Sequence, residues 1–150
     1  MIIGIVSDIH GRLSEEAYEA LRGSDYILCA GDSESPLILS ELESIAPTIA
    51  IRGNCDRRDL GPSVNFVASP LLGGMRFKMV HRPEDIGTLP DDVQVVVHGH
   101  THIPRNQTIH GVLFLNPGSP TRPRSGSRKS VMRVVVLDAK VASVELIELG

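Results

Sequence analysis

The chain has 150 residues and a formal net charge of −3, and 41% of its residues are hydrophobic while only 3% are aromatic. A chain of this length buries a large apolar core, so we expect one domain that spans residues 1–150. The small negative charge gives no general attraction to nucleic acid or to anionic lipid. The scarcity of aromatic side chains also argues against a nucleic-acid binder that stacks bases.

No apolar stretch approaches the roughly 20 residues of a membrane-spanning helix, and no cationic leader precedes the first apolar run. The two cysteines, Cys29 and Cys55, have neither the spacing of a metal-binding pair nor the pattern of a disulfide framework. These features predict a cytoplasmic protein with no membrane partner.

The first third of the chain alternates apolar runs with helical patterns. Ile2–Val6 is continuously apolar, as in a strand that is covered on both faces. Ser14 is a suitable N-cap for a helix that stops at Gly23, and Ser35 precedes a second helix with Pro36 in its first turn. The strands predicted after these helices are Tyr26–Ala30 and Thr48–Ile51. This order predicts a βαβαβ unit with parallel strands.

The remainder of the chain is mostly strand-like. Its predicted elements, in chain order, are a strand pair Val64–Ser69 and Met75–Val80 around Gly73-Gly74, a helical turn at Pro83–Gly87, a strand at Val93–Val97, and two hairpins, Thr108–His110 with Val112–Leu115 and Val131–Leu137 with Val141–Leu149. Pro117–Ser130 is predicted to be a long mobile loop. The whole order predicts an α/β (α+β) fold with two packed sheets and helices outside them.

Metal-ligand side chains follow five of the apolar runs. The segments are Asp8-Ile9-His10, Gly31-Asp32, Gly53-Asn54-Cys55-Asp56, His81, and His98-Gly99-His100-Thr101-His102. Strand carboxyl ends are where open α/β sheets form their sites. A mixture of imidazole with carboxylate and amide oxygens suits transition metals better than Mg²⁺ or Ca²⁺. The ordered set therefore predicts a two-metal phosphoesterase, in which a carboxylate bridges the two ions.

These motifs, in this order, resemble those of the calcineurin-like metallophosphoesterase family. The Gly53–Asp56 segment, the short chain and a further motif, Asn116-Pro117-Gly118-Ser119, resemble its small YfcE-type phosphodiesterase branch. The resemblance covers Ile2 to Ser119. It implies a four-layer sandwich in which two facing mixed β-sheets are flanked by helices.

The resemblance also implies roles for the matching residues. One metal would be held by Asp8, His10, Asp32 and His102, and the second by Asp32, Asn54, His81 and His100. A hydroxide that bridges two divalent ions would attack a small phosphoester substrate in line, with Asp32, Asn54 and His100 at the reaction centre and Asn54 near the phosphate. Mn²⁺ is the leading expectation for the metal, with Ni, Fe or Zn as alternatives.

Two positions depart from the family pattern. Cys55 stands where many larger relatives have a His that is a candidate proton donor, and an ordinary thiol is a poor acid. Arg82 stands where relatives usually have Gly, and the following Pro83 favours an extended backbone there. The Arg82 side chain would either bind the substrate phosphate or crowd out larger substrates.

Several polar residues have simpler interpretations. A capping turn alone would explain Asp8 and His10. We expect His98 to be a structural imidazole, His110 to lie on the surface, and Asp56 to orient the Gly53–Asn54 turn or a ligand histidine. The basic residues of the long loop, Arg122, Arg124, Arg128 and Lys129, are either a solvated loop or a segment that reaches the site or a neighbouring subunit, so a homo-oligomer stays open.

Two other functions compete with the phosphodiesterase. The first is a catalytically weak scaffold, because one branch of the family serves as a subunit of the endosomal retromer coat. That branch typically lacks the His of Asp-x-His, and His10 is present here. The second is a small nuclease, against which the small size, the negative charge and the few aromatic residues argue.

Overall fold

The computed structural model describes residues 1–150. Its helices are α1 (Glu15–Leu21) and α2 (Pro36–Ile45), with a 3-10 turn at Pro83–Asp85, and its strands are β1 (Ile2–Val6), β2 (Tyr26–Cys29), β3 (Thr48–Ala50), β4 (Val67–Ala68), β5 (Leu71–Leu72), β6 (Met75–Val80), β7 (Val93–Val97), β8 (Arg105–Ile109), β9 (Val112–Asn116), β10 (Ser130–Leu137) and β11 (Lys140–Glu148). Neither helix has the length and apolar character that crossing a membrane requires.

The strands form two mixed sheets. One has five strands in the order β11-β10-β1-β2-β3, and the other has six, in the order β4-β6-β7-β9-β8 with β5 also paired to β6. β1, β2 and β3 run parallel, as do β6, β7 and β9, while the remaining pairs are antiparallel. The predicted βαβαβ unit therefore supplies three of the five strands of the first sheet, and the C-terminal hairpin supplies the other two.

The two helices start where their caps predict. The Ser14 hydroxyl accepts a hydrogen bond from the backbone N–H of Ala17, and the Ser35 hydroxyl accepts one from Leu37. Both helices pack on the outer face of the first sheet, in a cluster of ten buried apolar residues that includes Leu21 and Leu42. The outer face of the second sheet carries only the 3-10 turn, where the Lys78 ammonium donates to the carbonyl of Ile86. The predicted pair of mixed sheets with helices outside is confirmed, and the helical layer on the second sheet is reduced to that turn.

A cluster of fifteen buried apolar residues fills the space between the sheets. Ile3 and Ile5 of β1 meet Phe77 of β6 and Val95 of β7 there, and each of these four side chains is fully buried. Val6 of the same strand packs instead with the helices. Because β1 is covered on both faces, its continuous apolar run has a direct structural reason.

The predicted strand Val64–Ser69 is wrong in its extent. Pro70 interrupts the segment because it has no N–H to donate, so the chain makes two separate two-residue strands, β4 and β5. Asn65 instead pairs with Ile51 beyond the end of β3. The predicted strand Thr108–His110 also differs, since β8 runs from Arg105 to Ile109 along β9.

The prediction of a mobile loop at Pro117–Ser130 is wrong for its first part. Residues 116–120 are buried, and the Ser119 hydroxyl donates to the carbonyl of Asp8 at 2.8 Å. The Thr121 hydroxyl donates to the carbonyl of Ile9 at 3.1 Å. Composition suggested solvation, but these bonds join residues more than 100 positions apart in the chain, which no local pattern reveals.

Candidate metal centre

The predicted ligands lie together at the carboxyl ends of the parallel strands of both sheets. Asp8 follows β1, Asp32 follows β2, Asn54 follows β3, His81 follows β6, and His100 and His102 follow β7. The structure brings the ligand atoms of two overlapping trios within 4.8 Å of one another, namely Asp8 with His10 and His102, and Asp8 with Asp32 and His81. This is the site edge that the parallel arrangement predicts.

Asp8 is at the centre of this cluster. Its side chain is fully buried, and its Oδ1 atom lies 3.3 Å from Nε2 of His102 and 3.6 Å from Nε2 of His81. Its Oδ2 atom accepts hydrogen bonds from the Ser7 hydroxyl and from the backbone N–H of His100. Oδ1 of Asp8 and Nε2 of His81 are both buried and have no hydrogen-bond partner. Two such orphaned atoms are costly unless a further group binds them.

The orientation of three histidine rings is fixed by acceptors on their other nitrogen. Nδ1 of His81 donates to the carbonyl of Ala30 at 2.7 Å, and Nδ1 of His102 donates to the carbonyl of Arg122 at 2.6 Å. Nδ1 of His10 lies 2.5 Å from the Glu34 carboxylate. Carbonyl and carboxylate oxygens only accept hydrogen bonds. Each neutral ring therefore presents the lone pair of Nε2 to the cluster, as metal-bound imidazoles do.

The approach of His10 to His102 also indicates a site suited to a cation. Their Nε2 atoms are 3.2 Å apart, yet both rings carry their proton on Nδ1 when they are neutral. Two lone pairs at this distance repel each other unless a proton or a cation lies between them. Together with the orphaned atoms of Asp8 and His81, this contact shows that the donor set fits divalent cations.

Asp32 lies between the two groups of ligands. Its Oδ1 atom accepts from the backbone N–H of Cys55 at 2.8 Å, and its Oδ2 atom lies 3.2 Å from Nε2 of His81. Burial by itself raises the pKa of Asp32, but the His81 ring and the N–H of Cys55 outweigh burial and lower that pKa to about 2. The carboxylate is therefore charged throughout the neutral range.

Asn54 and His100 form the more open side of the cluster. The Asn54 Oδ1 atom is 3.2 Å from Nδ1 of His100, and the ring centroids of His81 and His100 are 5.3 Å apart. Beside them is a cavity of about 270 Å³, whose lining includes Asn54, His81 and the exposed Arg82. The backbone of Arg82 is extended, as Pro83 predicts, with φ −97° and ψ 137°.

The backbone of the cluster is held in a rare conformation. Five predicted ligands have positive φ angles: Asp8 (57°), His10 (52°), Asp32 (55°), His100 (71°) and His102 (60°). Left-handed backbone is unfavourable for residues with a side chain and persists where the surrounding structure imposes it. Its concentration on these residues marks the cluster as a functional site.

Glycines allow the loops of the site to approach each other. A Cβ atom at Gly31 would lie 2.6 Å from Nδ1 of His81, and one at Gly99 would collide with the Ser7 hydroxyl. These glycines belong to the Gly-Asp and Gly-His motifs, so the motif pattern reflects close packing of the loops.

Asp56 fixes the backbone of the loops that carry the predicted ligands. Its carboxylate accepts hydrogen bonds from the backbone N–H groups of Asp32 (2.8 Å), Gly53 (2.8 Å) and Glu34 (2.7 Å). The expected role for Asp56 in orienting the Gly53–Asn54 turn is confirmed. The Asn116 amide likewise donates to the carbonyl of Gly99, which joins the last sequence motif to the His-rich loop.

His98 does not take part in the cluster. Its Nδ1 atom is 3.2 Å from the carbonyl of Gly99, and its Nε2 atom accepts from the Arg105 guanidinium at 3.1 Å. Burial lowers its pKa, so the ring stays neutral. The expected structural role for His98 is confirmed.

Two further residues, which are not among the predicted ligands, lie in the cluster. Glu34 contacts His10, but it belongs to no motif and lies 24 positions away in the chain. The sulfur of Cys55 lies within 4.8 Å of the ligand atoms of His10 and Asp32, although Cys55 was considered only as a proton donor. The one sequence signal for this position is that Cys55 directly follows Asn54, a predicted ligand in the Gly53–Asp56 motif.

Comparison with known proteins agrees with this geometry. The sequence profile of the calcineurin-like phosphoesterase superfamily domain matches residues 1–140. A probable metallophosphoesterase of Methanothermobacter thermautotrophicus is 34% identical over 163 residues, which cover 100% of this chain and 94% of that protein. Phosphodiesterase YfcE of Escherichia coli is 30% identical over 171 residues, which cover 96% of this chain and 91% of that protein.

Solved structures share the same architecture. An archaeal phosphodiesterase superposes with a TM-score of 0.81 at 23% identity, over 99% of this chain and 100% of that chain. Vps29 of Entamoeba histolytica, solved in complex with Zn²⁺, superposes with a TM-score of 0.76 at 20% identity, over 99% of this chain and 98% of that chain. These two likenesses concern the fold. The sequence profile and the relatives show that the chain belongs to the calcineurin-like phosphoesterase superfamily, and it is similar to the YfcE phosphodiesterases within it.

Proposed function

We propose that the protein is a two-metal-dependent phosphodiesterase. The observation that carries this proposal is the convergence of lone pairs on one point: Nε2 of His10 and Nε2 of His102 face each other at 3.2 Å, beside the orphaned Oδ1 atom of Asp8. A site for a neutral or anionic ligand would instead offer donors. The relatives named as phosphodiesterases support the reaction class.

We propose two overlapping ligand sets, which are those that the family motifs imply. Asp8, His10, Asp32 and His102 would hold one ion, and Asp32, Asn54, His81 and His100 would hold the other. Asp32 is proposed as the shared ligand, and two observations support this role. Its Oδ2 atom lies 3.2 Å from Nε2 of His81 in one set, and its ligand atom lies within 4.8 Å of that of His10 in the other. When bound, the two divalent ions supply positive charge for the phosphoryl oxygens and make a water molecule more acidic.

The protein groups around the ions position the substrate. Asn54 and His100 lie at the open side of the cluster, where an incoming phosphate group would meet them first. Arg82 lines the adjoining cavity and its guanidinium has no partner within the chain, so we propose that the guanidinium binds a phosphate oxygen. We therefore assign Asp32, Asn54 and His100 to the reaction centre and Arg82 to substrate binding.

Metal removal and reconstitution test the proposal. The purified protein is treated with chelator and then reconstituted separately with Mn²⁺, Ni²⁺, Fe²⁺ or Zn²⁺, and hydrolysis of bis(p-nitrophenyl) phosphate is measured. We expect activity to vanish with chelation and to return with metal, Mn²⁺ being the leading expectation, and p-nitrophenyl phosphate to react more slowly than the diester. Full activity in the chelated protein would contradict the two-metal mechanism.

The same panel separates the competing functions. A scaffold would bind metal, as calorimetry would detect, but would hydrolyse neither ester with any of the four ions. A small nuclease would cleave a single-stranded oligonucleotide faster than the chromogenic diester. The intact His10 side chain, with its Nε2 atom directed at the cluster, supports the enzyme over the scaffold.

A further inference from the structure

Phe66 is an aromatic side chain in an unusual position. The chain has three Phe, two Tyr and no Trp, and Phe66, with 68% of its surface exposed, is the one aromatic residue among the exposed large hydrophobic residues. A single exposed apolar residue is ordinary by itself. Phe66, however, lines the same cavity of about 270 Å³ as Asn54 and His81 of the candidate metal centre.

The backbone holds Phe66 in place on both sides. The carbonyl of its neighbour Asn65 accepts from the N–H of Arg52 at 2.7 Å. Its other neighbour, Val67, pairs with Val80, the residue before His81. The ring is therefore exposed on a segment that is anchored to the ends of two strands that carry predicted ligands. An anchored, exposed ring beside a polar site is suited to binding a flat apolar group.

The charged groups of the cavity complement the ring. The Arg52 guanidinium donates to the carbonyls of Asp56 and Arg58, each at 2.9 Å, which fixes its position. The guanidinium of Arg82 is unpaired, and the carboxylate of Asp85 completes the lining. The cavity thus offers cations for a phosphate group, an acceptor for sugar hydroxyls and one aromatic face.

We propose that this cavity binds the nucleoside part of a small phosphodiester, with one base stacked on Phe66 and the phosphate between Arg82 and the metal centre. The proposal rests on the proposed function and specifies its substrate class. Proteins that bind single strands stack successive bases on several aromatic residues, whereas this cavity has one. Its volume of about 270 Å³ lies just below the range of about 300–1,000 Å³ that is usual for drug-sized ligands. The cavity therefore has room for one base and its sugar, and the phosphate would lie outside it, at the metal centre.

Binding of two product-like probes tests the proposal. Adenosine 5′-monophosphate and ribose 5-phosphate share a phosphate and a sugar, and only the first has a base. Calorimetry on the manganese-loaded protein should show that the nucleotide binds at least about fivefold more tightly, which is the lower range for stacking one base on an aromatic residue.

Variants at Phe66 assign that difference to the ring. Phe66→Leu keeps the apolar bulk without the aromatic face, and we expect it to abolish the preference for the nucleotide while ribose 5-phosphate binds as before. Phe66→Tyr should keep the preference. Arg82→Ala should weaken both probes to a similar degree. Leu137→Ala is the matched control, because Leu137 is 57% exposed in β10, away from the ligand loops, and it should change neither affinity.

The outcomes distinguish this proposal from the proposed function. Equal binding of the two probes to the wild-type protein, or a preference that survives in Phe66→Leu, would overturn the nucleoside assignment even if the diester is hydrolysed in a metal-dependent way. Failure of the manganese-loaded protein both to bind either probe and to hydrolyse the diester would overturn the proposed function as well.

Discussion

The interior of strands β1 and β2 and the loops that follow their carboxyl ends are built from opposite kinds of residue. Within β1 and β2 the protein buries Ile3, Ile5 and Leu28 among apolar neighbours only. Just beyond the carboxyl ends of these strands it buries Asp8 and Asp32, both in left-handed backbone, and Oδ1 of Asp8 has no hydrogen-bond partner. Burial of the apolar core stabilises the fold, and this stability offsets the free-energy cost of the strained backbone and buried polar groups at the carboxyl edge.

The largest expected effect on the carboxyl edge is from Asp32→Ala. The substitution removes the carboxylate shared by both ligand sets, and with it the negative charge that reduces repulsion between the two cations. We therefore expect hydrolysis of the chromogenic diester to fall by at least about 1,000-fold. Thermal unfolding should remain cooperative but lose the stabilisation that added Mn²⁺ gives the wild-type protein. Asp91→Ala, which removes an exposed carboxylate, is the control, and unchanged activity in Asp32→Ala would refute the ligand assignment.

The corresponding change in the core is Phe77→Ala. Phe77 is fully buried between the sheets, so the substitution should lower the free energy of unfolding by about 3–5 kcal/mol. Urea titration of the metal-free protein measures this loss. The metal affinity of the fraction that remains folded should stay close to that of the wild-type protein. A Phe77→Ala variant that is as stable as the wild type would contradict the division between core and edge.

Acid should weaken metal binding at the carboxyl edge. Contact with Asp8 raises the pKa of His102 above 6.5, and contact with Asp32 raises the pKa of His81 although burial lowers it. In the metal-free protein both rings therefore keep a proton to higher pH than usual, which stabilises that state at low pH and less as pH rises. Metal binding has the opposite dependence, because a cation must displace these protons.

Calorimetry measures this dependence directly. Between about pH 8 and about pH 6 we expect the affinity for Mn²⁺ to fall at least about tenfold, and the released protons to be detectable in buffers of different ionisation enthalpy. An affinity that is independent of pH would show that the imidazoles are not ligands.

The smallest expected effect is from Cys55→Ser. Burial and the neighbouring Asp32 carboxylate raise the pKa of the Cys55 thiol, so the thiol is a poor acid and its replacement by a hydroxyl should change the rate of diester hydrolysis by less than about twofold. With no general acid there, the rate should depend steeply on the leaving group, and nitrophenyl esters should react far faster than alkyl esters.

Cys55→His is the informative companion of that variant. An imidazole that reaches the departing oxygen should recover some activity on poorer leaving groups, which a series of substituted phenyl esters would reveal. A flat dependence on leaving-group pKa in the wild-type protein, or a collapse of activity in Cys55→Ser, would show that another donor exists or that the thiol takes part.

The comparison between core and edge also explains which features were predictable. The helix caps at Ser14 and Ser35, the doubly covered strand β1 and the turn at Gly73-Gly74 depend on neighbouring residues, and local rules describe them. The shared location of the candidate ligands was also predictable, because the carboxyl ends of parallel strands lie at one edge of a sheet. The predicted strand Val64–Ser69 is too long for two reasons. Pro70 interrupts strand pairing, and Asn65 pairs with Ile51, which is fourteen residues away in the chain.

By itself the sequence determined the family motifs, the two-sheet α/β class and the set of side chains at the strand ends. Only the tertiary structure decided how those side chains meet. It placed Glu34 against His10, gave Asp56 three backbone donors, closed the loop at Ser119 onto Asp8, and positioned Phe66 over the cavity beside Asn54. Periodicity and capping act over a few residues, whereas all of these contacts except that of Asp56 with Gly53 join positions between 12 and 111 residues apart. Packing of the two sheets brings such distant positions together.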